Sequence, residues 1–330
     1  MNRLLQIVIL TIFLIPVEMK AGSQATDPQK TAPTVQSKPT YDVLLKEDIV
    51  YAQGLSHESP HSSQSTIMLL KLDVYQPANE SKNRPVYLFI HGGGFAGGTK
   101  QQERIKTLAD FYTSRGWVFI SADYRLKKNK GTVPQEWIDY SVNLPKEKVR
   151  QYLAIYPAIR DAKAALRWVV ANAQEYGINT DFITIGGGSA GAVTAVTIGI
   201  SRPEDYRDEL TLDQDPTLAS TNLDQTYEVR TIVDFWGSKI GLDILNEVYG
   251  HQRFDGNAPS LFIAHGTKDP TVPFKKAKDL KAIYEANDLP LAYYPLKDKG
   301  HGAWGASVDG KKLEELAFKF IVEQQSLIVE

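Results

Sequence analysis

The chain has 330 residues, 42% hydrophobic and 23% charged, enough to bury a substantial core in one large domain or two smaller ones. Its formal net charge of -2 is scattered along the sequence, which excludes the basic footprint of a nucleic-acid or anionic-membrane binder and leaves a small, roughly neutral partner as the expectation. With no cysteine, thiol nucleophiles, thiolate metal sites, disulfides and lipid attachment through a cysteine are excluded as well.

Residues 1–25 read as a secretory signal: Arg3, a mostly apolar run from Leu4 to Val17, then Ser23-Gln24-Ala25 as a small-x-small cleavage site. That run is too short to span a bilayer, so no membrane span is expected in the mature chain. Residues 26–40 continue a stretch rich in Ser, Thr, Gln, Lys and Pro from Gly22 onward and read as a mobile linker. Residues 41–330 then read as a single domain. Within it, His57 to His61 spells HExxH, but Pro60 and the polar surroundings favour a loop over the helix a zinc site needs.

From Thr66–Tyr75 onward strand and helix patterns alternate. Pro85–Ile90 and Trp117–Ala122 are continuous apolar runs typical of buried strands, and Gln101–Gly116 between them has helical spacing. Ala162, Ala165, Leu166, Val169 and Ala173 share one helix face before a short strand at Phe182–Gly186. Thr231–Trp236, Ser260–His265, a helix from about Phe274 to Asn287, Leu291–Leu296 and a terminal helix carrying Leu313, Leu316, Ala317, Phe320 and Ile321 continue the rhythm. The alternation implies an α/β fold, a mainly parallel sheet with helices on both faces. Lys127–Tyr156 and Ser201–Glu228 interrupt it as polar, aromatic-dotted stretches that would form either a cap over the site or surface decoration.

The glycine-rich loop after Phe182 supports two frames. Gly186, Gly188 and Gly191 spell the GxGxxG of a dinucleotide loop; Gly187, Ser189 and Gly191 spell GxSxG, a turn that presents a nucleophilic serine. The first frame needs an acidic residue at the end of a second strand, and Glu204 and Asp205 have no strand before them. The second needs an acid and then a histidine on later strand-end loops, because a serine hydroxyl attacks only when an oriented imidazole takes its proton. Asp269 follows one apolar strand and His301 the next, in the required order. Asp298 lies so close to His301 that it reads as a turn residue, and His265 as a structural hydrogen-bonding group. The reaction also needs donors for a developing oxyanion, and His91-Gly92-Gly93-Gly94 after Ile90 offers the amides of Gly93 and Gly94, with Ala190 as a third.

With these motifs in view, the sequence resembles the esterase and lipase branch of the α/β-hydrolase fold related to hormone-sensitive lipase, including bacterial exported carboxylesterases and feruloyl or acetyl-xylan esterase-like members. The resemblance runs through "YLFIHGGGF", "ISADYRL", "DAKAALRWVVANAQEYGINTDFITIGGGSAG", "FIAHGTKDPTVPF" and "GHG". It implies Ser189 as nucleophile, Asp269 as acid, His301 as base, an oxyanion hole of Gly93, Gly94 and Ala190, and a bracing role for Asp123–Leu126. Relatives join that last segment to the next helix by a short proline-rich link; this chain instead has everything from Lys127 to Arg160.

The expectation is therefore a serine carboxylic ester hydrolase that needs no cofactor or metal and acts on a small or medium acyl ester, with a carbohydrate-linked ester among the candidates. Phe95 and Trp304 would be acyl-pocket walls or ordinary core. The same machinery could cleave an amide, as in a peptidase or arylformamidase, and the fold could also serve a non-catalytic binding protein.

Overall fold

The structure, a computed structural model, describes residues 31–59 and 62–330. The segment read as a signal, the start of the linker and His61 of the HExxH match lie outside the described residues. After β1 (Thr34–Val35), a long hairpin of β2 (Val43–His57) and β3 (Ser65–Pro77) leads into β4 (Arg84–Ile90), α1 (Glu103–Thr113) and β5 (Val118–Ala122). Helices α2 (Gln135–Ser141), α3 (Lys146–Ala171) and the one-turn α4 (Ala173–Tyr176) precede β6 (Ile178–Gly188) and α5 (Ala190–Ile200). The alternation continues through β7 (Thr231–Phe235), α6 (Ile240–Tyr249), β8 (Ser260–Gly266), α7 (Lys275–Ala286) and β9 (Leu291–Leu296). A short hairpin of β10 (Ser307–Val308) and β11 (Lys311–Lys312), then α8 (Leu313–Gln325) and β12 (Ile328–Val329), complete the elements.

Strands β2 to β9 form one eight-stranded sheet in the order β2-β3-β5-β4-β6-β7-β8-β9. Only β3 runs against its neighbours β2 and β5; from β5 to β9 all pairs are parallel. The continuous apolar runs of the sequence are explained by cover on both faces. In β4, Val86, Leu88 and Ile90 join the core under α3, α5, α6 and α7, while Tyr87 and Phe89 alternate into the core under α1 and α8. Among the described residues no helix is long and apolar enough to cross a membrane.

Two boundaries differ from those expected. The linker reading extended to residue 40, but Thr34 and Val35 pair in parallel with Ile328 and Val329, and Val35 is fully buried. A single apolar residue in a polar stretch carries no periodicity, so the contact could not be read locally. The helix expected around Ala162 begins sixteen residues sooner than that position, at Lys146, and passes through Pro157. Pro157 costs one backbone donor. Burial of the whole run Leu153–Ile159 outweighs that cost, and Gly131 packs so tightly on the ring that a Cβ there would come within 2.6 Å of Pro157 Cβ.

Ser201–Glu228 contains turns and a 3-10 turn at Pro216–Ser220, where Asp215 Oδ1 accepts the Thr217 amide at 3.1 Å. This stretch packs back on the sheet: Ser220 Oγ accepts the amide of Gln53 on β2 at 2.8 Å, and Asp215 takes Arg160 Nη1 of α3 at 2.8 Å. Neither it nor Lys127–Tyr156 lines the cavity in front of Ser189.

Candidate active site

Ser189 sits in the step from β6 to α5, at the carboxyl end of the sheet. Its φ of 57° lies in the left-handed region that side chains rarely adopt, and its amide donates to Phe235 O at 2.9 Å. The sharp turn is possible because its neighbours are glycines: a Cβ on Gly191 would stand 2.0 Å from Ile90 O. The GxSxG frame therefore describes the turn, and the loop's glycines serve close packing of α5 on β4.

Asp269 and His301 approach from the loops after β8 and β9. His301 Nδ1 donates to Asp269 Oδ2 at 2.7 Å, and His301 Nε2, the acceptor in that tautomer, receives Ser189 Oγ at 2.8 Å. The other carboxylate oxygen of Asp269 accepts the amides of Thr271 at 2.8 Å and Val272 at 2.9 Å. Burial pushes the Asp269 carboxyl up, but the hydrogen bonds from His301 and these two amides outweigh it and hold the group below the usual carboxylate value. Asp269 is thus kept ionised beside the imidazole.

His265 stands behind this line. It is fully buried, its Nε2 donates to Val272 O at 2.8 Å, and the same nitrogen is 3.3 Å from Asp269 Oδ2. It steadies the loop that carries the acid. Asp298 takes a left-handed φ of 58° and pairs with Lys268 at 2.8 Å, away from His301.

The glycine loop after β4 faces Ser189 across a cavity of about 360 Å³ lined by Gly92, Gly93, Gly94, Ser189, His301, Trp236 and Trp304. Gly93 has a φ of 125°, and a Cβ there would meet Gly97 O at 2.1 Å, so only glycine permits this bend. The loop is braced from behind. His91 stacks on Tyr124 with ring centroids 4.2 Å apart, Tyr124 Oη donates to His91 O at 2.9 Å, and Asp123 Oδ1 accepts the Lys100 amide at 2.7 Å. Burial lowers the His91 pKa, so the imidazole stands neutral and its Nδ1–H donates to Gly92 O at 2.8 Å. Arg125 anchors the same segment, its Nη2 2.7 Å from Asp161 Oδ1 on α3. Ala190 opens α5, so its amide is one of the free donors of a helix N-terminus.

The two residues read as pocket wall or ordinary core separate. Trp304 lines the cavity, packed on Trp236 at 4.5 Å and Phe235 at 4.9 Å. Phe95 does not: it is buried in the core against Tyr124, 6.2 Å between centroids, because its left-handed φ of 57° turns the chain away after Gly94. Sequence reasoning missed Gln102, Arg104 and Thr271 at the rim. Arg104 lies 5.1 Å over the Trp304 ring and pairs with Glu314 of α8 at 2.5 Å. Its partners are far away in sequence, so no local pattern signals its place. His57 is the last residue of β2, not a helical residue, and both its ring nitrogens are engaged, Nδ1 with Ser62 O at 3.0 Å and Nε2 with Thr132 Oγ1 at 3.1 Å.

Comparison with known proteins gives a consistent picture. The BD-FAE family model matches residues 72–144 and 138–252. Esterase LipC of Mycobacterium tuberculosis is 25% identical over 255 residues, 70% of this chain and 56% of that protein. Gut esterase 1 of Caenorhabditis briggsae is 31% identical over 163 residues, 47% of this chain and 26% of its own. The chain thus spans about half the length, or less, of these curated relatives. Among solved structures, Thermogutta terrifontis esterase 2 phosphorylated by paraoxon aligns with a TM-score of 0.58 and 24% identity, covering 86% of this chain and 94% of that one. A truncated carbohydrate esterase from gut microbiota aligns with a TM-score of 0.59 and 18% identity over 90% and 100% of the two chains. At these identities the two structures speak for a shared fold.

Proposed function

The chain belongs to the BD-FAE family and has the α/β-hydrolase fold, and on that premise we propose that it is a serine carboxylic ester hydrolase acting through an acyl-enzyme on a small or medium acyl ester. The observation that carries the proposal is the continuous hydrogen-bonded line from Ser189 Oγ through His301 to Asp269, 2.8 and 2.7 Å, open to a cavity walled by the glycine loop. In this reading Ser189 Oγ attacks the acyl carbon while His301 Nε2 takes its proton. Asp269 holds the imidazole in the required tautomer and stabilises the imidazolium. The amides of Gly93, Gly94 and Ala190 receive the oxyanion, assisted by the positive end of α5. His301 then protonates the leaving alcohol, and water releases the acyl group by the same route.

Trp236, Trp304 and Phe89 give the cavity an aromatic wall suited to an acyl group of modest size. A carbohydrate-linked ester is the substrate class we favour, on the resemblance of the sequence to feruloyl and acetyl-xylan esterase-like members. We further propose export, on the sequence of residues 1–25 alone.

Turnover of a 4-nitrophenyl acetate series by wild type and Ser189→Ala tests the assignment. The variant is expected to lose about 10³-fold or more in kcat, since little survives without a nucleophile. Full activity in the variant would overturn the proposal.

A further inference from the structure

The residues from Lys127 onward, where this chain departs from its resemblance, build a second cavity. It has a volume of about 570 Å³, and its walls are the 127–133 loop, the first turns of α3, the end of β2 and Ala96 of the glycine loop. Four cationic side chains line it, Lys127, Lys128, Lys130 and Arg150, against one carboxylate, Glu58. Among the described residues none of the four has an ion-pair partner, and Lys130 Nζ meets only the backbone carbonyl of Glu58. In a chain whose net charge is -2, this is a local excess of positive potential in a concave, partly apolar wall, where field lines are focused.

The cavity adjoins the catalytic one. The Lys127 amide donates to Phe95 O at 2.7 Å, and Gln151 Nε2, next to Arg150, donates to Gly94 O at 3.4 Å. The glycine loop is therefore the common wall: Gly94 lines the space in front of Ser189 and Ala96 lines the basic cavity. A substrate whose ester carbonyl sits at Gly94 therefore lies two residues of chain from Ala96, in the wall of the basic cavity.

We propose that this cavity is an anion subsite for the alcohol portion of the substrate, a carbohydrate chain bearing uronate carboxylates next to the ester that Ser189 cleaves. This rests on the ester hydrolase reading above and names its substrate more closely. It also revises the neutral partner expected from net charge, since an average near zero conceals a one-signed cavity. The apolar side chains of Val133 and Leu153 supply surface for the C–H face of a sugar ring.

Lys128 and Arg150 are exposed, so Lys128→Glu with Arg150→Glu perturbs charge without disturbing packing. The measurement is the ratio of kcat/KM for acetylated xylo-oligosaccharides with and without a glucuronate branch, at low and high salt. Wild type is expected to prefer the glucuronate substrate by at least about fivefold at low salt, through KM, and the double variant to lose or invert that preference. Equal kcat/KM for the two substrates in wild type, or an unchanged ratio in the variant, overturns the proposal. If neither oligosaccharide nor 4-nitrophenyl acetate is turned over, the hydrolase reading is what fails; in that case, or if only the oligosaccharides are refused, the subsite is judged by calorimetry on Ser189→Ala protein with the deacetylated oligosaccharides. Binding of the glucuronate form that is weakened by added salt supports it; equal binding of the neutral form, or tighter binding of a xylose phosphate than of the glucuronate, overturns it.

Discussion

At the scale of single residues, the chemistry depends on groups whose protonation is set by burial. Asp234 on β7 is fully buried; its Oδ1 accepts the Gly237 amide at 2.6 Å while Oδ2 has no hydrogen-bond partner among the described residues. Burial pushes its carboxyl up to about 7 against the lowering pull of that amide. Between the unfolded value of about 3.9 and the folded one, the native state holds a proton that the unfolded chain has lost, so stability falls as pH climbs through that window. Asp234→Asn keeps the acceptor for Gly237 and cannot ionise. It is expected to flatten the pH dependence of denaturant unfolding between about pH 4 and 7 and to be more stable than wild type at pH 8 by roughly 1–3 kcal/mol. An unchanged slope in that window would contradict the assignment. Asp269 behaves oppositely: its lowered value contributes stability above the unfolded pKa that is lost in acid.

At the scale of elements, α3 holds the site's scaffold together through buried charge. Arg125 makes hydrogen bonds from its backbone amide and guanidinium to Asp161 at 2.7–3.1 Å, which ties the segment behind the glycine loop to the helix. Removing the acid strands a buried guanidinium, so Asp161→Ala is expected to cost about 3–5 kcal/mol in urea unfolding, and to lower kcat through the loosened loop. A loss under about 1 kcal/mol would show that water reaches Arg125. Lower on the same helix, Lys163 Nζ donates to Ser201 Oγ at 3.2 Å, Arg202 O at 2.5 Å and Asp205 O at 2.6 Å. Burial brings its ammonium down to about 7. Lys163→Met leaves the buried Asp205 carbonyl without its donor, while Arg202 O keeps the Asp205 amide at 3.1 Å, and is expected to cost about 1–3 kcal/mol; a neutral result would mean the turn at 201–205 rearranges freely.

These elements also show where sequence stops being informative. Strands β4 to β8 were legible because burial on two faces forces unbroken apolar runs, the half-buried edge strand β9 because its own run is apolar too, and Ser189, Asp269 and His301 because each follows such a run at a strand's carboxyl end. The start of α3 was not, since Pro157 is a local stop signal that only tertiary burial overrides. Whether Phe95 faces pocket or core is open in the sequence because a residue's direction after a glycine bend depends on φ, which no neighbour pattern reports. Arg104 and the basic cavity join residues from separate elements, so their meeting is a property of the fold.

At the scale of the whole molecule, the two ends of the described chain are stitched together beside the sheet. Val35 and Ile328 belong to strands that exchange backbone hydrogen bonds, Ile328 N to Pro33 O and Glu330 N to Val35 O, both at 3.0 Å. Deleting residues 31–40 exposes the core that Val35 covers and is expected to cost about 2–3 kcal/mol, seen as a lower urea midpoint with activity retained on folded protein. No change in midpoint would return the segment to the status of a linker.

The central claim is that one serine, made nucleophilic by a neighbouring imidazole, carries the reaction. Treating the protein with an organophosphate ester and mapping the adduct by peptide mass spectrometry tests it most directly. The account requires a single phosphoryl group on the peptide containing Ser189, with esterase activity lost in proportion to labelling and no adduct in His301→Ala. Full labelling at another residue, or undiminished ester hydrolysis once Ser189 is modified, would contradict it.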